Sequence, residues 1–203
     1  MAIADALLPA DTVFGFQTER EGPILAEDFE AWAQEPENPM ELVEGWVMPM
    51  SPGTFPTGKL LLELGILLGR VAQERGWQIS LDALHRLPRP GRTVVFPDIA
   101  LHCSPTVDLL PGTESVLRVP DLVIEILGKE TSERDRGPSG AKFRAYQASG
   151  VQEYYYTWAS GLDASGFRLE DGVFVPCERD PEGFFASPIL GGWFRLVPPG
   201  WKA

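Results

Sequence analysis

The chain has 203 residues, 44% of them hydrophobic and 23% charged, proportions ordinary for one globular domain with a sizeable core. No apolar run approaches the roughly 18 residues that a membrane span needs, and no basic residue precedes the mildly apolar Met1 to Ala10, which argues against a secretory signal. The formal net charge of -12 counts against avid binding of nucleic acid through overall charge, while leaving room for a local basic groove.

The elements are expected to follow in this order. Residues 26–34 read as a short helix, with Asp28 near its start and Phe29 and Trp32 three apart on one face. Glu41 to Met48 alternates like a half-buried strand pair or a bent strand, with Gly45 at the turn. After a loop at Ser51 to Thr57, with Thr57 as cap, the longest helix is expected over Gly58 to Arg75. Its apolar stripe would be Leu60, Leu61, Leu64, Leu67, Leu68 and Val71, and Gly76 would stop it. Gly65 and Gly69 on this helix read as a place of close packing.

Trp77 to Leu81 reads as a strand, Arg89 to Arg92 as a turn, and Thr93 to His102 as one strand interrupted by Pro97. Pro105 to Val119 reads as loop. Asp121 to Leu127 is a near-continuous apolar run and should be a central strand. A loop over Arg136 to Gly140 leads to a helix over Ala141 to Ala148 that ends at Gly150. Glu153 to Trp158 is aromatic and β-like, its tyrosines 154 to 156 more in keeping with core than with base stacking. Short antiparallel pieces follow around Phe167, Val173 and Trp193, with a turn at Asp171-Gly172. The whole predicts an α/β fold, a mixed β-sheet flanked by helices with extra antiparallel strands at the C-terminus, in a single domain over 1–203 with its core at about 27–197.

Cys103 and Cys177 are the only cysteines, expected as free, buried thiols in a cytoplasmic chain. A single asparagine, Asn38, beside 19 prolines fits a thermostable chain or a compositionally biased genome. Arg134, Arg136, Lys142 and Arg144 cluster, and beside Glu130, Glu133 and Asp135 they read first as a solvated helix face.

Two carboxylates interrupt apolar strands: Asp98 in Val94-Val-Phe-Pro-Asp-Ile-Ala-Leu, and Glu125 in Leu122-Val-Ile-Glu-Ile-Leu. Carboxylates are rarely buried unless paired or metal-bound. An edge strand facing water, or an arginine ion pair, would explain either one alone. Together, with a lysine following, they suggest more. Asp and Glu on one face of adjacent strands form an oxygen-rich site for Mg2+ or Mn2+, to which the Ile126 carbonyl could add a donor. A nearby lysine would then suit metal-assisted hydrolysis of a phosphodiester. His102 shares the Asp98 face if the strand is regular, but reads first as a hydrogen-bonded strand residue.

The motifs Met40-Glu-Leu-Val-Glu-Gly, Met50-Ser-Pro, Phe96-Pro-Asp-Ile-Ala, Pro120-Asp-Leu-Val-Ile-Glu-Ile-Leu, Arg134-Asp-Arg-Gly, Lys142-Phe-Arg-Ala-Tyr, Gly150-Val-Gln-Glu-Tyr-Tyr and Ser187-Pro-Ile-Leu-Gly-Gly, in this order, resemble the Uma-two family. That family is grouped with the restriction endonucleases of the PD-(D/E)xK nuclease superfamily. The resemblance runs from about Phe29 to Leu196. It implies a metal-dependent endonuclease acting on DNA, with Asp98 and Glu125 as metal ligands, Lys142 as the catalytic lysine supplied by a helix, and Glu41 approaching the metal. Asp135 and Tyr146 match further family positions. The chain departs from the family at Gly128-Lys129, where Ser-Pro is usual. It also has extra residues around Ser139-Gly-Ala, Thr57 where a His is frequent, and Tyr156-Thr-Trp-Ala after the aromatic strand.

Lysine is scarce: Lys59, Lys129, Lys142 and Lys202 are the only four. If the Glu125 strand stayed extended, Lys129 would share its face and could replace Lys142. The expected partner is DNA, with no membrane; a homodimer is compatible with the sequence but not required by it. The competing reading is a catalytically silent domain of the same fold, acting as a DNA-structure or protein interaction module. A third is a hydrolase of other phosphoesters.

Overall fold

The computed structural model describes residues 24–32, 40–50, 53–88, 92–112, 115–128, 136–159 and 163–202. Lys129, Arg134, Asp135 and the turn expected at Arg89, apart from Arg92, therefore lie outside the described residues.

Helix α1 (Ala26–Trp32) precedes a hairpin of β1 (Met40–Val43) and β2 (Trp46–Pro49). Glu44 and Gly45 turn the hairpin with φ of 55° and 89°. Two successive positive φ angles match the right-handed twist of the flanking strands, and glycine takes the second without a side-chain clash. β1 is buried along its whole length rather than half-buried as its alternation suggests.

Helix α2 (Phe55–Arg75) begins three residues before the expected start. Thr54, not Thr57, is its N-cap, and the Thr54 hydroxyl accepts from the Thr57 N–H. Pro56 fits this first turn, where its missing N–H costs nothing. Gly76 ends the helix in a left-handed conformation, as expected. The stripe of Leu60, Leu64, Leu68 and Ala72 is buried, with Leu61 and Val71 packed beside it.

β3 (Gln78–Leu81), β4 (His85–Leu87), β5 (Thr93–Val95), β6 (Ile99–His102) and β7 (Leu122–Leu127) follow. The expected strand over Thr93 to His102 is in fact two strands in two sheets. Pro97 cannot donate to a ladder, and the chain crosses there from the four-stranded sheet (order β2-β1-β5-β4) to the six-stranded one. Helix α3 (Ala141–Ser149) then leads to β8 (Glu153–Trp158), β9 (Ala164–Glu170) and β10 (Val173–Pro176). The six-stranded sheet has the order β10-β9-β8-β7-β6-β3. Only β7 and β8 run parallel in it, as a crossover through α3 requires. β11 (Phe185–Ser187), β12 (Gly192–Arg195) and β13 (Gly200–Lys202) form a small antiparallel sheet.

β7 lies inside its sheet and separates two cores. Leu122, Ile124 and Ile126 pack with α2 and the C-terminal sheet. Val123 and Leu127 pack with Phe143, Ala145 and Tyr146 of α3 and with Val43, Met48 and Leu87 of the smaller sheet. Side chains alternate along a strand, so Glu125 falls on the α3 side. The tyrosines of β8 are core, as read: Tyr154 and Tyr155 are fully buried, and Tyr155 meets Phe185 and Phe194 edge-on.

Candidate active site

β6 and β7 pair antiparallel with Ile99 opposite Ile124. Continuing that register by one residue sets Asp98, at the bend that opens β6, opposite Glu125. Asp98 Oδ2 accepts from the Ile126 N–H at 2.6 Å, which fixes its carboxyl against the end of β7. Glu41 comes from β1 in the other sheet, and its Oε1 accepts from the Phe96 N–H at 2.9 Å. Helix α3 closes the cluster. Lys142 Nζ lies 2.9 Å from Glu41 Oε1 and 2.8 Å from Glu125 Oε1. One turn later the Tyr146 hydroxyl donates to the same Glu125 oxygen at 2.7 Å.

Positions 142 and 146 are four apart, so both donors stand on one helix face and converge on one carboxylate. Lys142 is 2% exposed, Glu41 1% and Glu125 4%, so the ammonium is a buried cation between two buried anions. Lys142 therefore does not belong to a solvated basic face. Arg144 keeps that surface role, pairing with Glu44 at 3.2 Å and donating to the Ser139 carbonyl.

Asp98 retains partial access to solvent. Burial of its carboxyl raises its pKa to about 7, against the opposing pull of the Ile126 N–H and the Lys142 charge. Burial and the adjoining Glu125 and Glu41 charges push the Tyr146 phenol well above its ordinary range. A hydroxyl so displaced stays protonated and acts as a donor.

Sequence reasoning missed Asp82. It follows β3 with a φ of 47°, and its N–H donates to the Asp98 carbonyl at 3.3 Å. Its carboxyl is raised by burial, then pulled back by Lys142 and raised again by Glu41, so its charge is felt in the same cluster. A lone Asp in a loop gives no periodic signal; only the fold brings it beside Asp98.

His102 does not join the acidic cluster. Its Nε2 lies 3.2 Å from Nε2 of His85, the rings stacked 6° from parallel. The His85 Nδ1–H donates to the Ala83 carbonyl at 2.7 Å. Burial lowers both imidazoles to about 4. Both cysteines are free; Cys177 is buried, while Cys103, expected buried, is only half so.

The order of the strands and the helices packed on them define the class: an α/β protein with a restriction-endonuclease-like fold. The chain belongs to the Uma2 family, described as "Putative restriction endonuclease", which it matches over residues 26–197. Among solved structures it is similar to a "putative nuclease belonging to DUF820" from Anabaena variabilis ATCC 29413, with a TM-score of 0.65 and 17% identity over 83% of this chain and 91% of that one. At that identity the likeness shows the fold. No curated protein matches significantly. No helix among the described residues is long and apolar enough to cross a membrane.

Proposed function

We propose that this protein is a divalent-metal-dependent endonuclease that hydrolyses DNA phosphodiester bonds at Asp98, Glu125 and Lys142, with Glu41 as part of the same site. The observation that carries the reading is the buried Lys142 ammonium, held between Glu41 and Glu125 at the place where Asp98 faces β7. A core lysine is costly to keep charged. Its retention on the face that also carries Asp98 favours a role in chemistry over a silent interaction module.

The donor set fits a hard cation. Asp98 and Glu125 offer carboxylate oxygens from adjoining positions, and the Ile126 carbonyl can add a third. Among the described residues no group of three His, Cys, Asp or Glu side chains is placed to hold a metal ion by itself. A cation there would complete its shell with water and substrate phosphate, as Mg2+ and Mn2+ do beside one or two carboxylates. When bound there, the cation would neutralise charge on the phosphoryl oxygens and acidify water.

The chain's own residues supply the rest. The Ile126 N–H holds one Asp98 oxygen, and the Tyr146 hydroxyl and Lys142 hold one Glu125 oxygen, so both carboxylates are oriented before a ligand arrives. Lys142 places a positive charge at the site, suited to orienting the attacking water and opposing charge that develops on phosphate. Glu41, itself held by the Phe96 N–H, fixes the lysine from the other sheet. A cytoplasmic location suits the free thiols.

The test is cleavage of double- and single-stranded DNA at low salt with Mg2+ or Mn2+, with and without chelator, alongside calorimetric metal binding. Wild type should cut and Asp98→Asn should not. A wild type that binds the cation but cuts no DNA would overturn the substrate, and one that neither binds nor cuts would overturn the enzyme.

A further inference from the structure

Helix α2 buries Leu60, Leu64, Leu68 and Ala72 on one side. Its opposite side also carries large apolar residues among the polar ones. Phe55, Leu62 and Ile66 are 87%, 60% and 51% exposed, and their spacing of seven and four places them on one stripe. Gly69 continues the stripe, and a Cβ there would meet nothing within 4 Å. On the glycine flank, Gly65 lies under Leu81, itself 43% exposed, which widens the apolar surface. The expectation of close packing thus holds for Gly65, whereas Gly69 leaves an open notch.

The other flank carries Lys59, Glu63, Arg70 and Glu74, all exposed. Read along the helix the signs run plus, minus, plus, minus. Read in reverse they run minus, plus, minus, plus. Laid antiparallel on itself about a midpoint between Ile66 and Leu67, the helix opposes Lys59 to Glu74 and Glu63 to Arg70, each twice. In the same register Ile66 meets its own copy near the axis, and Leu62, level with position 71 of the second copy, packs beside the Gly69 notch, between Gly69 and Gln73. The one ion pair within this flank, Lys59 with Glu63 at 3.7 Å, is exposed and weak enough to be exchanged.

From this self-complementarity we infer that the exposed face of α2 is a two-fold interface that takes a second copy of this chain, helix against antiparallel helix. A two-fold contact uses one patch on both subunits, so it requires a patch complementary to itself. As i,i+4 pairs within one helix these charges stand in the weaker order, cation before anion, whereas between antiparallel copies every cation meets an anion. The inference is independent of the nuclease reading.

Sedimentation velocity across a concentration series tests it, with circular dichroism melts to verify folding. The wild type should be a dimer. Ile66→Glu should be a folded monomer, since the side chain starts in solvent. Gly69→Met should keep or raise the melting temperature, because glycine is a poor helix former and the added side chain meets open space. It should also weaken the dimer at least about tenfold by filling the notch. Arg70→Glu should weaken the dimer, and adding Glu63→Arg to the same chain should restore it, as each new arginine meets the new glutamate of the other copy. A wild type that stays monomeric overturns the proposal and leaves the stripe to another macromolecule. A dimer indifferent to Ile66→Glu overturns the surface. Failure of the Glu63→Arg rescue, or indifference to Gly69→Met, overturns the register.

Discussion

Glu125 and Glu153 are buried carboxylates on the neighbouring parallel strands β7 and β8, three positions apart in register, and the protein keeps them in different ways. Glu125 faces α3, where an ammonium and a phenol share one of its oxygens and Asp98 adjoins it. Glu153 faces the C-terminal sheet. Its oxygens accept from the Ile189 N–H at 2.9 Å, the Ser187 hydroxyl at 2.5 Å and the Tyr155 hydroxyl at 2.9 Å, with Arg168 acting across the ladder at longer range. Neutral donors satisfy the second carboxylate and seal it. The first is held by a full charge that itself needs a second anion, Glu41. Burial of an acid therefore does not mark a site by itself; the buried cation shared among several acids is the feature on which the proposed function rests.

The strongest way to break this comparison is Asp98→Asn, which keeps the shape of the cluster and removes a charge. If the site is catalytic, cleavage should fall by more than the 10–100-fold typical of residues that merely support a ligand, with the circular dichroism spectrum unchanged. Activity that survives would make the Asp98–Glu125 cluster as structural as that of Glu153.

Lys142→Met should rank next. It leaves Glu41 and Glu125 buried without their shared cation, and removing one partner from a buried ion pair costs about 3–5 kcal/mol. Urea unfolding should show that loss, and Lys142→Met combined with Glu41→Gln should recover part of it. If Lys142→Met is as stable as wild type, the ammonium is not the charge that holds the cluster together. Tyr146→Phe should cost less, about 1.5–3 kcal/mol, the range for a hydrogen bond to a charged group. Cleavage should fall with it, since Glu125 loses a donor that orients it. Equal stability with unchanged cleavage would show that Lys142 alone suffices.

What the sequence revealed of these two regions follows from what each requires. Asp98 and Glu125 stood out because acids in apolar strands violate the hydrophobic pattern, whereas Lys142 was singled out only by the family resemblance, its own neighbourhood of charges reading as a solvated helix face. Helix ends at Gly76 and Gly150 were legible because glycine there has a local backbone reason. The split at Pro97 was only half visible: proline announces a break in a ladder, but not that the two halves enter different sheets. Asp82 and the His85–His102 pair were hidden, because contacts across distant loops and strands leave no spacing. The Glu153 cluster was hidden too, although its partner motif, Ser187-Pro-Ile-Leu-Gly-Gly, stood out. The fold supplies the motif's physical reason. Ser187 and Ile189 grip Glu153, while Arg75 of α2 donates to the Ile189 and Leu190 carbonyls at 3.0 and 2.5 Å.

The smallest expected effect is at Glu153 itself, and it appears in the pH dependence of stability more than in stability at one pH. Burial raises its pKa above the ordinary 4.5, outweighing the stabilising hydrogen bonds from Ile189, Ser187 and Tyr155. The folded chain therefore binds this proton more tightly than the unfolded chain. Stability falls wherever the folded state carries the extra proton and pH rises. The contribution is thus fully present below the unfolded value of about 4.5 and is lost as pH rises through the folded pKa above it. Glu153→Gln cannot ionise and should flatten that part of the stability curve. At neutral pH its stability should lie within about 1 kcal/mol of wild type, because the loss of an acceptor is offset by relief from burying a charge. DNA cleavage should not change, since Glu153 faces the core opposite to α3. Chemical denaturation of both proteins at closely spaced pH values above 4.5 is the measurement. An unchanged slope would show that the Ser187 turn already compensates the Glu153 charge, and a fall in cleavage would join the two regions into one functional unit.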